Sequence, residues 1–470
     1  MALNHGINTK KSDTNFVSVT QGSTGIPFFI GAAPKHTAAA SDGDLVIVYS
    51  FAEAVEKLGY SEDFDVWGLC EAMYGHLRLA AMAPAILCNI FDPATHKTAA
   101  AAKDFDVEDH CIRLPDYLDD SSLVVKSGET TVAATDYTKS YDGTDLIVTL
   151  KSTSEYYSAT TLNVAGNKAD PDSITIEEAE AAIERIEECK TKFGVVPDLI
   201  AAPGLSETAS MALLMAAKAP SINGLFKGKA VVDLPSDATN GASTPGAVRA
   251  KAQALGYTDP NIVVCWPMAT VGEKRMHLST VLVGLIAATD AENGGVPFES
   301  PSNEALPITG CVTADGTEVN LSVGQADVVS VGAGVVTALN YDGWRAWGNY
   351  TGCHTVNEND PAKVFICCSR MMDFICNTFV NTFWSYVDRP LTSVLVDAIV
   401  NNFNSWLAGL TGEGALLGGE IAYVGDNNPT GELLAGKFRL DARAAAPVPA
   451  QRIDFVVEFD AELLVSALNV

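Results

Sequence analysis

The chain has 470 residues, of which 47% are hydrophobic and 19% charged, and its formal charge is −28. That length and apolar content allow several buried cores and two to four domains, and the excess of acid repels phosphate backbones, which excludes a nucleic-acid binder. A charged fraction below the roughly 25% of an average soluble protein leaves much surface neutral and open to contact with other subunits.

The charge is uneven. Residues 1–40 hold Lys10, Lys11 and Lys35 against Asp13 alone, so a basic start precedes an acidic body, and such an arm docks on an acidic neighbour as readily as it stays solvated. Residues 1–25 are rich in Ser, Thr, Asn and Gly and read as an extended arm, with Phe16, Val17 and Val19 in a segment able to pair as a strand. No secretory h-region precedes it. The longest apolar run, Val281 to Ala288, falls far short of the roughly 18 residues that cross a bilayer. Ten cysteines without a CxxC pair, several in apolar runs, fit reduced thiols in a cytoplasm.

Leu45 to Tyr49 is a short β-type run, and Ser50 with Glu53 forms a capping box that opens a helix ending before Gly59. Asp65 to Met82 reads as a helix and Ala85 to Phe91 as a strand. From about Asp104 the texture changes to short β-branched stretches separated by Ser-Gly, Asp-Gly and Asn-Lys turns, an inserted all-β domain over 104–170. Thr175 and Glu178 then cap a helix with Ile176, Ala179, Ile183 and Ile186 at helical spacing. Strands and helices alternate to about residue 300, which argues a layered α/β body with a largely parallel sheet. A hairpin is expected at Asp315-Gly316, long helices over 362–386 and 392–410, and a strand near Lys437. The last strand, Arg452 to Asp460, puts Ile453, Phe455, Val457 and Phe459 on one side and Asp454, Val456, Glu458 and Asp460 on the other. It either edges its own sheet or pairs with another subunit.

Active-site patterns are missing. Gly224 to Ala230 lacks the spacing and hydroxyl of a phosphate loop, and neither HExxH nor GxSxG occurs. The seven histidines are scattered, and Cys368, Met372 and Cys376 on one helix face pack more naturally than they bind a soft metal. No catalytic, cofactor-binding or metal-ligating residue is assigned. A site built from distant carboxylates at the carboxyl ends of parallel strands stays open, so a cytoplasmic α/β enzyme is the alternative, beside another viral tail or capsid protein.

Several segments, in order, resemble those of contractile-tail sheath proteins of phages, bacteriocins and related injection machines. They include Leu45 to Gly59, Val195 to Gly204, Ala230 to Pro235, Ile262 to Pro267 and Ser300-Pro301-Ser302-Asn303. Trp347, Gly348 and Thr351 are similar to a Trp-Gly-x-x-Thr turn, Gly414 to Gly418 to a Gly-Ala-Leu-x-Gly stretch, and Pro449 to Ile453, with Arg452, to Pro-Ala-Glu-Arg-Ile, Gln451 replacing the acid. The likeness covers about 20–104 and 172–465. It implies an α/β (α+β overall) chain: arm 1–25, body 26–103 plus 171–300, an outer insertion, a tube-facing C-terminal domain 301–450 and a strand arm 451–470. It also implies a non-enzymatic subunit of stacked hexameric rings, without cofactor or membrane insertion, whose partners are itself, an inner tube protein and baseplate and terminator proteins. Such a particle assembles in a bacterial host cytoplasm and acts as a virion tail or extracellular machine.

Overall fold

A computed structural model of the chain describes residues 19–37, 43–356 and 358–468. The short apolar runs become strands of one sheet: β1 (Pro27–Gly31), β2 (Leu45–Val48), β3 (Ala85–Asn89), β4 (Leu199–Ala201), β5 (Lys229–Asp233), β6 (Ile262–Cys265), β7 (Val335–Asn340) and β8 (Trp344–Trp347). Their order is β8-β7-β6-β5-β4-β1-β3-β2. The inner strands are parallel, with Phe28 opposite both Ile86 and Ile200, while β2 and β8 close the two edges antiparallel. Every residue of β1, β3, β4, β5 and β6 is buried, and that requires cover on both faces. Helices Ile176–Ile183, Ala209–Lys218 and α1 (Leu278–Glu292) pack on the sheet.

The expected α/β class is what the chain adopts. The capping box at Thr175 and Glu178 forms, whereas at Ser50 only half of it does: Ser50 accepts from the Glu53 amide, but the Glu53 carboxylate accepts from the Tyr49 amide and not from that of Ser50. Other details differ. The sheet does not stop at residue 300, because β7 and β8 extend it, so the expected start of a C-terminal domain at 301 matches no break in the sheet. The Val-rich helix Val323–Ala333 that feeds β7 was not anticipated; its sequence has no clear apolar stripe. The Asp315-Gly316 turn makes only a single bridge, Val312 to Glu318, and Gly310–Val312 pairs instead with Met268–Val271. Asp65 to Met82 is shorter than expected, a helix at Gly68–Ala72 continuing into a wider turn over Met73–Leu79.

Residues 97–169 form two antiparallel sheets around their own cluster of Ile112, Leu114, Tyr117, Val148 and Leu162. Pairing begins at Lys97 opposite Ala169, ahead of the composition change at Asp104, where the partner strand Thr161–Ala169 draws an alanine-rich segment of low β propensity into the ladder. Separately, α2 (Ile366–Phe383) and α3 (Ser393–Gly412) enclose a second core with Met371, Phe374, Phe403 and Leu407. Among the described residues the strands Gly418–Tyr423 and Leu440–Ala445 pair only with each other, and Gly418–Tyr423 lies against α3.

Candidate assembly surfaces

The C-terminal segment leaves the body at a defined root. Gly348 has φ +128°, and a Cβ there would sit 3.1 Å from the Val335 carbonyl oxygen and 3.2 Å from the Val336 Cα, so only glycine passes. Its N–H donates to Ser302 Oγ at 2.9 Å, which fixes the Ser-Pro-Ser-Asn loop against the Trp-Gly turn. Trp347 Nε1 donates to Asp327 at 3.0 Å, and Thr351 Oγ1 donates to the Lys363 carbonyl at 2.7 Å. Onto this platform comes Gln451, whose side-chain oxygen accepts from the Tyr350 hydroxyl, while the Pro447 carbonyl accepts from Cys368 Sγ at 3.5 Å. Trp347 and Gly348 therefore meet Pro449, about a hundred residues later in sequence, with Gln451 beside Tyr350, while Thr351 turns away to the Lys363 carbonyl.

Past that root every described residue is exposed. Ile453, Phe455, Val457 and Phe459 are 85%, 86%, 73% and 79% exposed. The expected strand at Arg452 to Asp460 has no partner strand among the described residues, and Arg452 pairs only with Asp454 at 2.9 Å. Among the described residues this stretch edges no sheet, and four large apolar side chains at period two stand exposed. The segment ends in a short helix, Ala461–Leu468, that the sequence reading missed, with Leu463, Leu464, Val465 and Leu468 exposed. Phe16 and Val17 lie outside the described residues; Val19, the first described, is half-buried.

A complementary surface lies between α2, α3 and the two-stranded sheet. It is an apolar groove of about 530 Å3 lined by Phe379, Phe383, Ile399, Phe403, Leu440 and Ala442 among others. Gly414, at φ +83°, ends α3, and Gly418 starts the strand beside it, so the Gly-rich motif shapes this hairpin and not the arm root. Cys376 opens onto the groove and Met372 packs on the second core, while Cys368 serves the arm root. The three do not converge, and among the described residues no group of His, Cys, Asp and Glu is arranged to hold a metal.

The carboxyl ends of the parallel strands hold a second cavity of about 530 Å3 beside Gly31, Gly204, Glu207 and His277. Its polar groups serve the fold. His277 Nδ1 lies 2.8 Å from Glu71, the His277 and Ser279 amides donate to Glu71 and Asp233 at 2.7 and 3.0 Å, and Thr280 Oγ1 donates to Glu71 at 2.9 Å. Two carboxylates from other elements thus cap the start of α1, where its amides lack partners and its dipole is positive. Burial opposes the charge on His277, but Glu71, Asp233 and Glu207 push its pKa up to about 10; burial also raises Asp233 and Glu207.

Against known proteins, no family model matches the chain. It is 25% identical to the tail sheath protein of Burkholderia phage BcepMu, over 99% of each chain, and 28% identical to a prophage major tail sheath protein of Pseudomonas aeruginosa, over 60% of this chain and 69% of that one. The chain belongs with the contractile tail sheath proteins. The fold agrees: the helical sheath of the anti-feeding prophage, in its contracted state, superposes with a TM-score of 0.58 at 13% identity, covering 98% of this chain and 100% of that one. This sheath protein is a structural subunit, and its relatives are named for that role.

The sequence reading singled out the arm residues and the Trp-Gly and Pro-Ala-Gln-Arg motifs but missed what α2 carries. Arg370 and Asp373 are the only charges between Val364 and Phe383, and charge in so apolar a helix was the available signal. Arg370 is buried and donates to Asp290 at 2.8 and 2.5 Å and to Asp198 at 2.7 Å. Burial works against its charge, and the two carboxylates hold its pKa above the ordinary arginine value.

Proposed function

We propose that this sheath subunit polymerises by strand exchange: the segment Ile453 to Phe459 of one copy adds to the open edge of Leu440–Ala445 in another, with its apolar side in the groove beside Phe379 and Phe383. The observation that carries this is the coincidence of an unpartnered period-two segment with an unpaired strand edge flanking an apolar groove. β-Augmentation supplies main-chain hydrogen bonds, each worth about 1 kcal/mol net, and covering a large apolar side chain adds roughly 1.5–3 kcal/mol. Together these are of the same order as the cost of ordering ten residues, about 1–2 kcal/mol each. Links of this kind hold neighbours while the bodies re-dock.

On this reading the subunits stack as hexameric rings around an inner tube, and the extended sheath is metastable. Contraction exchanges smaller body contacts for larger ones and drives the tube forward without nucleotide hydrolysis or other catalysis. Baseplate and terminator proteins bound the ends, and residues 97–169 face outward, where an added module leaves ring contacts intact. The N-terminal segment from Phe16 to Val19 supplies a second link.

The test uses a native thiol. Val457→Cys, facing Cys376 of a second copy, gives a disulfide ladder on a non-reducing gel and hollow tubes by negative-stain microscopy before oxidation. A chain that stays monomeric at high concentration, with no ladder, refutes strand exchange.

A further inference from the structure

Both ends of the chain are fastened to the same helix. At its first turn α2 takes the C-terminal root, through Cys368 and the Pro447 carbonyl, with Tyr350 holding Gln451 alongside. At its last turns it takes the N-terminal segment. The Gly22 amide donates to Thr378 Oγ1 at 2.9 Å and the Thr20 amide to Thr382 Oγ1 at 3.1 Å, and the Thr382 hydroxyl contacts the Thr20 carbonyl at 3.3 Å. The stitching continues at every second residue: Thr24 Oγ1 donates to the Gly295 carbonyl and the Ile26 amide to Asp198, both at 2.9 Å.

A second face of α2 grips the α/β body. Arg370 pairs with Asp290 and Asp198, and Asp373 with the buried Lys229 at 2.8 Å. The Asn377 amide accepts from and donates to the Lys227 backbone at 2.9 and 2.8 Å, and Asn381 accepts from Lys190 at 3.3 Å. Positions 370, 373, 377 and 381 recur at helical spacing and form one polar stripe. Phe379 and Phe383 line the groove side. One rigid rod thus has three attachments: two arm roots separated by the 14 residues from Cys368 to Thr382, roughly 21 Å at 1.5 Å per residue, and a body hung between them.

We propose that α2 is the strut joining the two arms of each subunit, so that a pull arriving at one arm passes along the helix to the other without crossing the α/β sheet. The spacing between the two links of a subunit is then set by a helix and stays constant while the body turns. Thr378 and Thr382 are positioning residues for the N-terminal arm, and Tyr350 is one for the C-terminal arm. This rests on the strand-exchange reading above.

The double substitution Thr378→Val with Thr382→Val keeps shape and removes both hydroxyls. Expected results are a free chain melting within a few degrees of wild type, faster amide hydrogen exchange confined to residues 20–24, and a critical concentration for tube assembly raised about thirtyfold, the effect of losing two hydrogen bonds. Thr378→Ser with Thr382→Ser restores assembly. Valine variants that form tubes at the wild-type concentration, or whose free chain melts far lower because the roots belong to the body's own fold, overturn the strut. A wild-type chain that forms no tubes under any condition removes strand exchange itself and the strut with it.

Discussion

His277 keeps its proton in a mostly buried site because three carboxylates surround it, and that has a consequence for stability. Its folded pKa of about 10 lies above the ordinary 6.5, so its contribution is complete below about pH 6.5 and is lost as pH rises through about 10. His277→Gln leaves Glu71 and Asp233 facing each other without a cation, and breaking a buried pair costs about 3–5 kcal/mol. Urea denaturation at pH 6 should show a loss of that order, and the gap between variant and wild type should narrow above pH 10. Thr337 makes the opposite case. Its hydroxyl is buried in β7 with no hydrogen-bond partner among the described residues, so Thr337→Val should leave stability unchanged or raise it by about 1 kcal/mol, read from the same titration. Neither role was legible in the sequence: His277 was one of seven scattered histidines, and the carboxylates that give it meaning come from residues 71, 207 and 233. Gly348 was singled out by the likeness of its segment to a Trp-Gly-x-x-Thr turn, but its positive φ shows only in the structure.

Among the elements, the strands of the parallel sheet could be read because each is a short run buried on both faces, bounded by Gly, Pro or a cap. The helix Val323–Ala333 could not, because Val328 and Val331 face solvent while Ala326, Val329 and Ser330 face the sheet, which blurs the apolar stripe. The C-terminal segment was legible as a strand in pattern but has no strand pairing in the single chain, since the alternation describes a surface it does not itself supply. That gives a direct prediction. Phe455→Asp should not alter the melting temperature of the free chain by more than about 1 °C, because an exposed side chain away from packing shifts stability by under roughly 0.5 kcal/mol. The same change puts a charge into an apolar groove on assembly and should abolish tubes. A large drop in melting temperature with tubes intact would mean that the segment packs on its own body.

For the whole molecule, the question is which parts the cylinder needs. The insertion enters and leaves at one point: Lys97 pairs with Ala169, and the Asp170 amide already donates to the His96 carbonyl at 3.0 Å. Joining His96 to Asp170 through two glycines therefore closes the body without bridging a gap. The cost is local. Leu118 leaves the main core, the His36–Tyr141 stack is lost, and Thr37 loses its hydrogen bonds to the Leu118 carbonyl and to Asp120. Burying a leucine is worth roughly 1.5–3 kcal/mol and the half-buried ring contact less, so the shortened chain should melt several degrees lower yet stay folded, with the eight-stranded sheet, α2 and both arm roots untouched. If the insertion lies on the outside of the cylinder, this chain still forms tubes, of smaller outer diameter and the same lumen by electron microscopy. If it lies between rings, the monomer folds and no tube appears. Contraction adds a second reading of the same sample. Tubes carried from the extended to the contracted form by mild denaturant, with no nucleotide present and no reversal on its removal, have the behaviour of a metastable lattice whose work was stored during assembly.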